Sequence, residues 1–392
     1  MRRTHLGALL LAIPTALIPA LASAAPAPDS ARADAPLVRV AQAPDSLAIK
    51  GSYIVTLKTD TKATAANLLR AQDIKAEYVY TDVLKGFAAK LSPGQLRALQ
   101  NDASVAAIEE DQKVTVSATQ YSPPWGLDRI DQRSLPLNGA YTYNRNGAGV
   151  TAYIIDTGID TSHTDFGGRA RNVYDAFGGN GQDCQGHGTH VAGTVGGATY
   201  GVAKGVQLRG VRVLNCQGSG SYSGIIAGFD WVRQNAVKPA VANASLGGGY
   251  SAAVNTAATN LSNSGVHFSV AAGNENQNAC NVSPASASGV MTVAASDSSD
   301  RRASFSNWGS CANLYAPGVS VNSTRMGGGS TSLSGTSMAA PHVAGVAALY
   351  KSTYGDASSS TVSNWLTNNA TANVINNNYS TTPNRLLFKS TL

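Results

Sequence analysis

Two different rhythms of apolar residues divide the chain. Between residues 50 and 116, short alternating runs are interleaved with two amphipathic stretches. Tyr53–Leu57 reads as a strand, Lys62–Ala71 as a helix, and Ala76–Tyr80 and Phe87–Leu91 as strands. Pro93–Gln100 follows as a helix capped by Ser92, and Val105–Glu109 as a fourth strand. The order βαββαβ predicts a small α+β module of the split βαβ, ferredoxin-like kind. It contains no His and no Cys, so it predicts a role in binding or folding.

From Ala118 onward the pattern changes, with candidate strands at Val150–Ile155, Gln207–Val213, Val241–Ser245, Val266–Ala271 and Val290–Ala294. They alternate with helical stretches at His187–Val195, Ser221–Gln234, Ser251–Ser264, His342–Tyr354 and Thr361–Asn368. Strands buried on both faces and separated by helices predict a mostly parallel sheet in an α/β domain. The Gly327–Ser330 run reads as a loop, and Asn384–Phe388 as a final strand.

The N-terminus adds compartment to this picture. Arg2 and Arg3 precede an apolar run from Leu6 to Leu21, broken by Pro14 and Pro19, and Ala22-Ser23-Ala24 offers a small-residue cleavage site. Residues 1–24 therefore read as a secretory signal peptide. Residues 25–48, rich in Ala, Pro and Asp, read as a leader without regular structure. The expected organisation is a signal at 1–24, a segment at 25–117 carrying the module at 50–116, and a main domain at 118–392. No later run is apolar enough to span a membrane, so a secreted protein without a membrane partner is expected. From Ala118 the chain has 16 Lys/Arg and 12 Asp/Glu, a net +4. The basic residues are scattered without interleaved aromatics, which argues against nucleic acid. Cys184, Cys216, Cys280 and Cys311 behind a signal peptide read as disulfides, with three possible connectivities.

Three segments carry candidate chemistry. Asp156 directly follows the Val150–Ile155 run, at the carboxyl end of a predicted parallel strand, where sites form in open α/β sheets. His187 lies in Gly186-His187-Gly188-Thr189-His190, at a predicted helix start. His187 and His190 are spaced like a metal pair, but no acidic third ligand stands nearby, so zinc is not favoured. His163, His190, His267 and His342 read as structural. Ser337, in Gly335-Thr336-Ser337-Met338-Ala339, stands where a turn enters a helix. A serine needs a base to take its proton, and the base needs a carboxylate to fix its tautomer. Asp, His and Ser in that chain order differ from the order in lipases and esterases. The surrounding residues also miss the G-x-S-x-G elbow, which disfavours an esterase. A thiol nucleophile at Cys184 is disfavoured by the even cysteine count.

Taken together, DTGID, HGTHVAG, AAGN and GTSMAAPHVAG resemble the subtilisin-like serine proteases, nearest the proteinase K and aqualysin branch, over Ala118 to the end. The resemblance implies a subtilisin-like mostly parallel sheet flanked by helices, preceded by an inhibitor-like propeptide. By motif, Asp156 resembles the orienting carboxylate, His187 the general base, Ser337 the nucleophile, and Asn274, with the Ser337 N–H, the oxyanion hole. Ser219, Gly220 and Tyr222, with Ser245, Leu246 and Gly247, resemble the segments that hold an extended peptide. Ala271, Ala272 and Gly273 leave room for a large apolar side chain. Asp128, Asp131, Gln132 and Asn138 resemble a calcium site. A second family site near Ser288 and Val290 is put in question by Asn313, where relatives often carry Asp. The resemblance further implies Cys184–Cys216 and Cys280–Cys311 bridges. Module 50–116 is implied to be an inhibitor and folding aid, released by self-cleavage near Ser117–Ala118. The implied activity is that of a secreted, monomeric serine endopeptidase of broad specificity on proteins and peptides. A catalytically inactive peptide-binding relative is the alternative.

Overall fold

The protein, described here as a computed structural model, is defined over residues 37–43, 48–112 and 118–392. The expected signal peptide and cleavage at Ser117–Ala118 fall outside these residues. The chain forms two units, residues 1–113 and 114–392.

The N-terminal unit is a five-stranded sheet in the order Val40–Ala41, Val105–Gln112, Ala48–Leu57, Gly86–Lys90, Ala76–Tyr80. Helices Ala65–Ala71 and Pro93–Gln100 bury Leu68 and Leu99 in one core with Val55, Phe87 and Ile108. The first helix begins at Ala65, later than its composition suggests, because Thr64 caps it by accepting the Asn67 N–H (3.3 Å). Ser92 and Gln95 close a capping box on the second. The leader is not wholly irregular: Val40 and Ala41 pair in parallel with Ile108 and Glu109. Val38 exchanges hydrogen bonds with Gln100, and the Ala43 N–H donates to Glu110 Oε2. Alternation is too short there to register as a strand, but an open sheet edge supplies the partners.

The larger unit is built on a nine-stranded sheet. Its order is Thr371–Ala372, Arg385–Leu386, Leu314–Pro317, Met291–Ser296, His267–Ala271, Ala240–Ala244, Thr151–Asp156, Gln207–Arg212, Ala170–Asp175. All neighbours run parallel except the terminal pair Thr371–Ala372 and Arg385–Leu386. Successive residues of a strand feed opposite faces. Thus Ile154 and Val241 join one core with Val191, Val195, Val343 and Val346. Tyr153, Ile155 and Ala242 join the other, with Phe229, Val232 and Leu261. Helices His187–Gly196 and Thr336–Tyr354 thus lie on one face, and Tyr222–Asn235 and Ala252–Asn263 on the other.

Four differences from the sequence reading matter. The apolar helix expected from His342 is continuous with the helix entry expected at Ser337, as one helix from Thr336 with Pro341 inside it. The Gly327–Ser330 loop is the turn of a hairpin between Val321–Thr324 and Ser330–Leu333. Ala118–Tyr121 pairs with Ala140–Tyr143, and a short helix, Trp125–Asp131, follows. Strands Ala170–Asp175 and Leu314–Pro317 were not marked by apolar periodicity.

Candidate active site

Three neighbouring strands of the sheet end in side chains or loops of interest. Thr151–Asp156 ends in Asp156, Ala240–Ala244 is followed by Ser245, and His267–Ala271 leads into Asn274. The helices starting at His187 and Thr336 bring His187 and Ser337 to the same edge.

Asp156 is fully buried. His187 Nδ1 stands 2.8 Å from its Oδ1 and 3.0 Å from its Oδ2, while a quarter of the His187 side chain remains exposed. Burial disfavours the imidazolium, but the charge and hydrogen bond of Asp156, helped by the charge of Asp183, outweigh it. The His187 pKa is raised above its ordinary 6.5. An imidazole held at Nδ1 by a carboxylate keeps Nε2 free to accept a proton.

The backbone around this pair is fastened by residues that the motif reading passed over. Buried Asp183 accepts the Thr157 hydroxyl (2.8 Å) and the N–H groups of Gln185, Gly186 and Thr189 (each 2.9 Å). Thr157 Oγ1 accepts the Gly188 N–H (2.9 Å), and Gln185 Oε1 accepts the His187 N–H (2.8 Å). The first turn of the His187 helix is thereby tied to the end of the Asp156 strand. A Cβ at Gly188 would collide with the Gly158 carbonyl, so this close approach requires glycine.

Ser337 is half-buried, the second residue of its helix, so its N–H has no carbonyl four residues back within that helix. Asn274 Oδ1 accepts both the Thr336 N–H (2.8 Å) and the Thr336 hydroxyl (2.9 Å). Two donors on one side assign that side as oxygen and leave Nδ2 outward as a donor. His187, Asn274 and Ser337 line one cleft.

Beside it, a groove of about 470 Å³ is lined by His187, Ser219, Gly220, Tyr222, Ser245, Leu246 and Gly247. A second hollow of about 270 Å³ is lined by Leu246, Gly247, Ala271, Gly273, Asn274 and Ser337, and also by Glu275. Tyr222 Oη donates to the Gly249 carbonyl (2.7 Å). Ala272 lines neither hollow: it is fully buried, and its carbonyl accepts Asn307 Nδ2 (2.9 Å). Gly273 has φ +100°, and a Cβ there would strike Asn307 Nδ2, so the floor of the hollow requires glycine. Cys184 is bonded to Cys216, and Cys280 to Cys311.

At the Trp125–Asp131 helix, Asp128 accepts the Gly139 N–H (2.8 Å) and Gln132 Oε1 the Asn138 N–H (3.1 Å). Asn138 Oδ1 accepts the Ala140 N–H (3.0 Å). Asp131 Oδ2 accepts the Thr142 N–H (2.7 Å), and its Oδ1 pairs with Lys389 Nζ (2.9 Å). The side-chain oxygens thus frame one turn, with Asp131 shared with a lysine. Asn313 Oδ1 accepts the Thr292 N–H (2.7 Å). His190, His267 and His342 are buried, and burial lowers their pKa values to about 4, 3 and 4.

Asp156, His187 and Ser337 thus stand at the carboxyl edge of a mostly parallel sheet in an α/β fold. Comparison with known proteins identifies the family. Residues 147–386 match the model of the subtilase family, and residues 52–117 that of peptidase inhibitor I9. An extracellular serine proteinase of Thermus sp. (strain Rt41A) is 48% identical over 388 residues, 92% of this chain and 94% of that one. A cuticle-degrading protease of Metarhizium anisopliae is 44% identical over 395 residues, 98% of this chain and 99% of that one. A crystal structure of a cold adapted subtilisin-like serine proteinase matches at 52% identity with a TM-score of 0.67, covering 68% of this chain and 98% of that one. The chain belongs to the subtilase family and is a subtilisin-like serine protease of the proteinase K-like group, carrying an inhibitor I9 unit at its N-terminus. Among the described residues no helix is long and apolar enough to cross a membrane.

Proposed function

We propose that the protein is a secreted endopeptidase in which Ser337 is the nucleophile, His187 its general base and then acid, and Asp156 the carboxylate that orients the imidazole. The observation that carries this reading is the bond of His187 Nδ1 to fully buried Asp156, with Ser337 in the same cleft. In acylation, His187 Nε2 takes the Ser337 proton as Oγ attacks the peptide carbonyl. Asn274 Nδ2 and the Ser337 N–H then stabilise the oxyanion. His187 returns the proton to the leaving amine, and water attacking the acyl-enzyme repeats the sequence in reverse roles.

The substrate lies extended between residues 218–222 and 245–249, held by main-chain bonds that are largely indifferent to sequence, so specificity is broad. Ala271 and Gly273 admit a large apolar side chain next to the scissile bond. The chain is made as a pre-pro-protein: residues 1–24 direct export, and 25–117 form an inhibitor and folding aid removed by self-cleavage near Ser117–Ala118. Such help suits a parallel sheet of high contact order. The mature enzyme acts as a monomer.

Calcium is a structural ligand in this proposal. Asp128, Asp131, Gln132 and Asn138 are an all-oxygen donor set with two carboxylates, which fits a hard cation. Asp131 also accepts the Thr142 N–H at Oδ2 and pairs with Lys389 at Oδ1. The test of the whole reading is Ser337→Ala in the full chain, which is expected to lose both proteolysis and removal of residues 25–117.

A further inference from the structure

Pro341 lies within the first turns of the Thr336–Tyr354 helix. In an α-helix the N–H of residue 341 would donate to the carbonyl of residue 337, four positions back. Proline has no N–H, so the carbonyl of Ser337 has no helical partner. A buried carbonyl left without a donor is costly. The structure supplies one from outside the helix: Ser245 Oγ donates to the Ser337 carbonyl at 2.7 Å.

That hydroxyl is itself held. Ser245 and Asn243 are both buried, and Asn243 Nδ2 donates to Ser245 Oγ at 2.9 Å. Asn243 sits on the Ala240–Ala244 strand, in the middle of the sheet, so the position of Ser245 Oγ is set by a rigid element. In return, Ser337 Oγ donates to the Ser245 carbonyl at 3.2 Å. The two serines are therefore joined twice, each hydroxyl on the other's main-chain oxygen.

We propose that Ser245, through its side chain, is a positioning residue for the Ser337 nucleophile, replacing the helical hydrogen bond that Pro341 deletes. This rests on the assignment of Ser337 as nucleophile and goes beyond the backbone role of residues 245–247 in holding substrate. The peptide plane between Ser337 and Met338 carries the carbonyl in question, so pinning it fixes ψ of Ser337 and holds the Cα that bears the nucleophilic side chain. Fixing that plane from the sheet aligns the helix start with the strand edge where Asp156 and Asn274 stand. The Pro341 ring occupies the place of an N–H, and the Asn243–Ser245 relay restores what it removes.

The test is a double-mutant cycle in the full chain: wild type, Ser245→Ala, Pro341→Ala and the double variant. Each protein is processed and counted by titration with a serine-directed sulfonyl fluoride. Each is then assayed with a tetrapeptide anilide bearing Phe before the scissile bond. With a hydrogen bond of ordinary strength lost from the positioning network, Ser245→Ala lowers kcat about tenfold and leaves KM within about twofold. Pro341→Ala provides an N–H to the same carbonyl, so in that background Ser245→Ala lowers kcat by less than about threefold. An equal loss in both backgrounds, or a loss in KM alone, overturns the proposal while leaving the protease assignment intact. A wild-type protein that fails to turn over the anilide removes the nucleophile, and with it both readings.

Discussion

Asn274 Oδ1 is gripped by the N–H and the hydroxyl of the same residue, Thr336, at 2.8 and 2.9 Å. The neighbour of Ser337 in sequence thus decides which end of the Asn274 amide faces the cleft. A donor aimed in advance costs no reorganisation when negative charge develops. Asn274→Ala is expected to lower kcat about 10²–10³-fold with little change in KM. Thr336→Val, which removes one of the two donors on Oδ1, is expected to lower kcat by a smaller factor, about tenfold. Steady-state kinetics on a peptide anilide checks both, and full activity in Asn274→Ala would remove the oxyanion assignment.

The pairing of His187 with Asp156 has a pH signature. The general base must be neutral, so activity is lost as pH falls through the His187 pKa, and that pKa is raised above 6.5. The acid limb of kcat/KM is therefore expected to have its midpoint above 6.5. Asp156→Asn removes the charge that raises it and the acceptor that fixes the tautomer. Activity is expected to fall by about 10⁴, with the residual acid limb moved downward. A wild-type midpoint below 6.5 would contradict the account.

Acid stability follows from other histidines. His190, His267 and His342 stay neutral in the folded protein down to about pH 4, 3 and 4, because burial disfavours their charged forms. The unfolded chain takes up those protons near 6.5, so it binds more protons than the folded state between these limits. Stability is present above pH 6.5 and is lost as pH falls toward 4, by roughly 1.4 kcal/mol per pH unit for each fully neutral group. Neither ring nitrogen of His267 has a hydrogen-bond partner among the described residues. His267→Leu is thus expected to flatten the decline in denaturant midpoint over this range. An unchanged slope would show that His267 plays no part in it.

Calcium removal gives a separate test. If Asp128, Asp131, Gln132 and Asn138 hold the ion, a chelator shortens the half-life at elevated temperature before it reduces activity in the cold. The site lies on the Trp125–Asp131 helix and its following turn, and none of its four residues lines the cleft. Asp128→Ala should abolish the chelator's effect. Identical thermal inactivation with and without chelator would remove the calcium assignment.

Much of this architecture was legible from the sequence where one physical cause dominates. Val150–Ile155 is almost entirely apolar on both faces because helices cover both, and that run records it directly. Ala170–Asp175 escaped notice because it is an edge strand, largely half-buried, whose Arg, Asn and Asp side chains break any apolar pattern. Leu314–Pro317 is only four residues and ends in proline. The Gly335–Ser337 turn marked where the Thr336–Tyr354 helix is entered, but Pro341 inside it removes one helical hydrogen bond, and the sequence does not show what takes the freed carbonyl. Ser245, some ninety positions earlier in the chain, takes it. The Asp156, His187 and Ser337 segments could be read because flanking Gly and Thr residues mark them. Asp183 and Thr336 could not, because a polar side chain that serves a backbone N–H resembles any turn residue until the fold shows which N–H it meets.

The most direct measurement compares the full chain with its Ser337→Ala variant, following polypeptide mass on a gel and casein hydrolysis together. The account predicts that only the wild type loses the 25–117 segment and only the wild type cleaves casein. Processing and casein cleavage in both proteins would show that Ser337 is not the nucleophile. Two intact, inert proteins would point instead to a peptide-binding relative without catalysis.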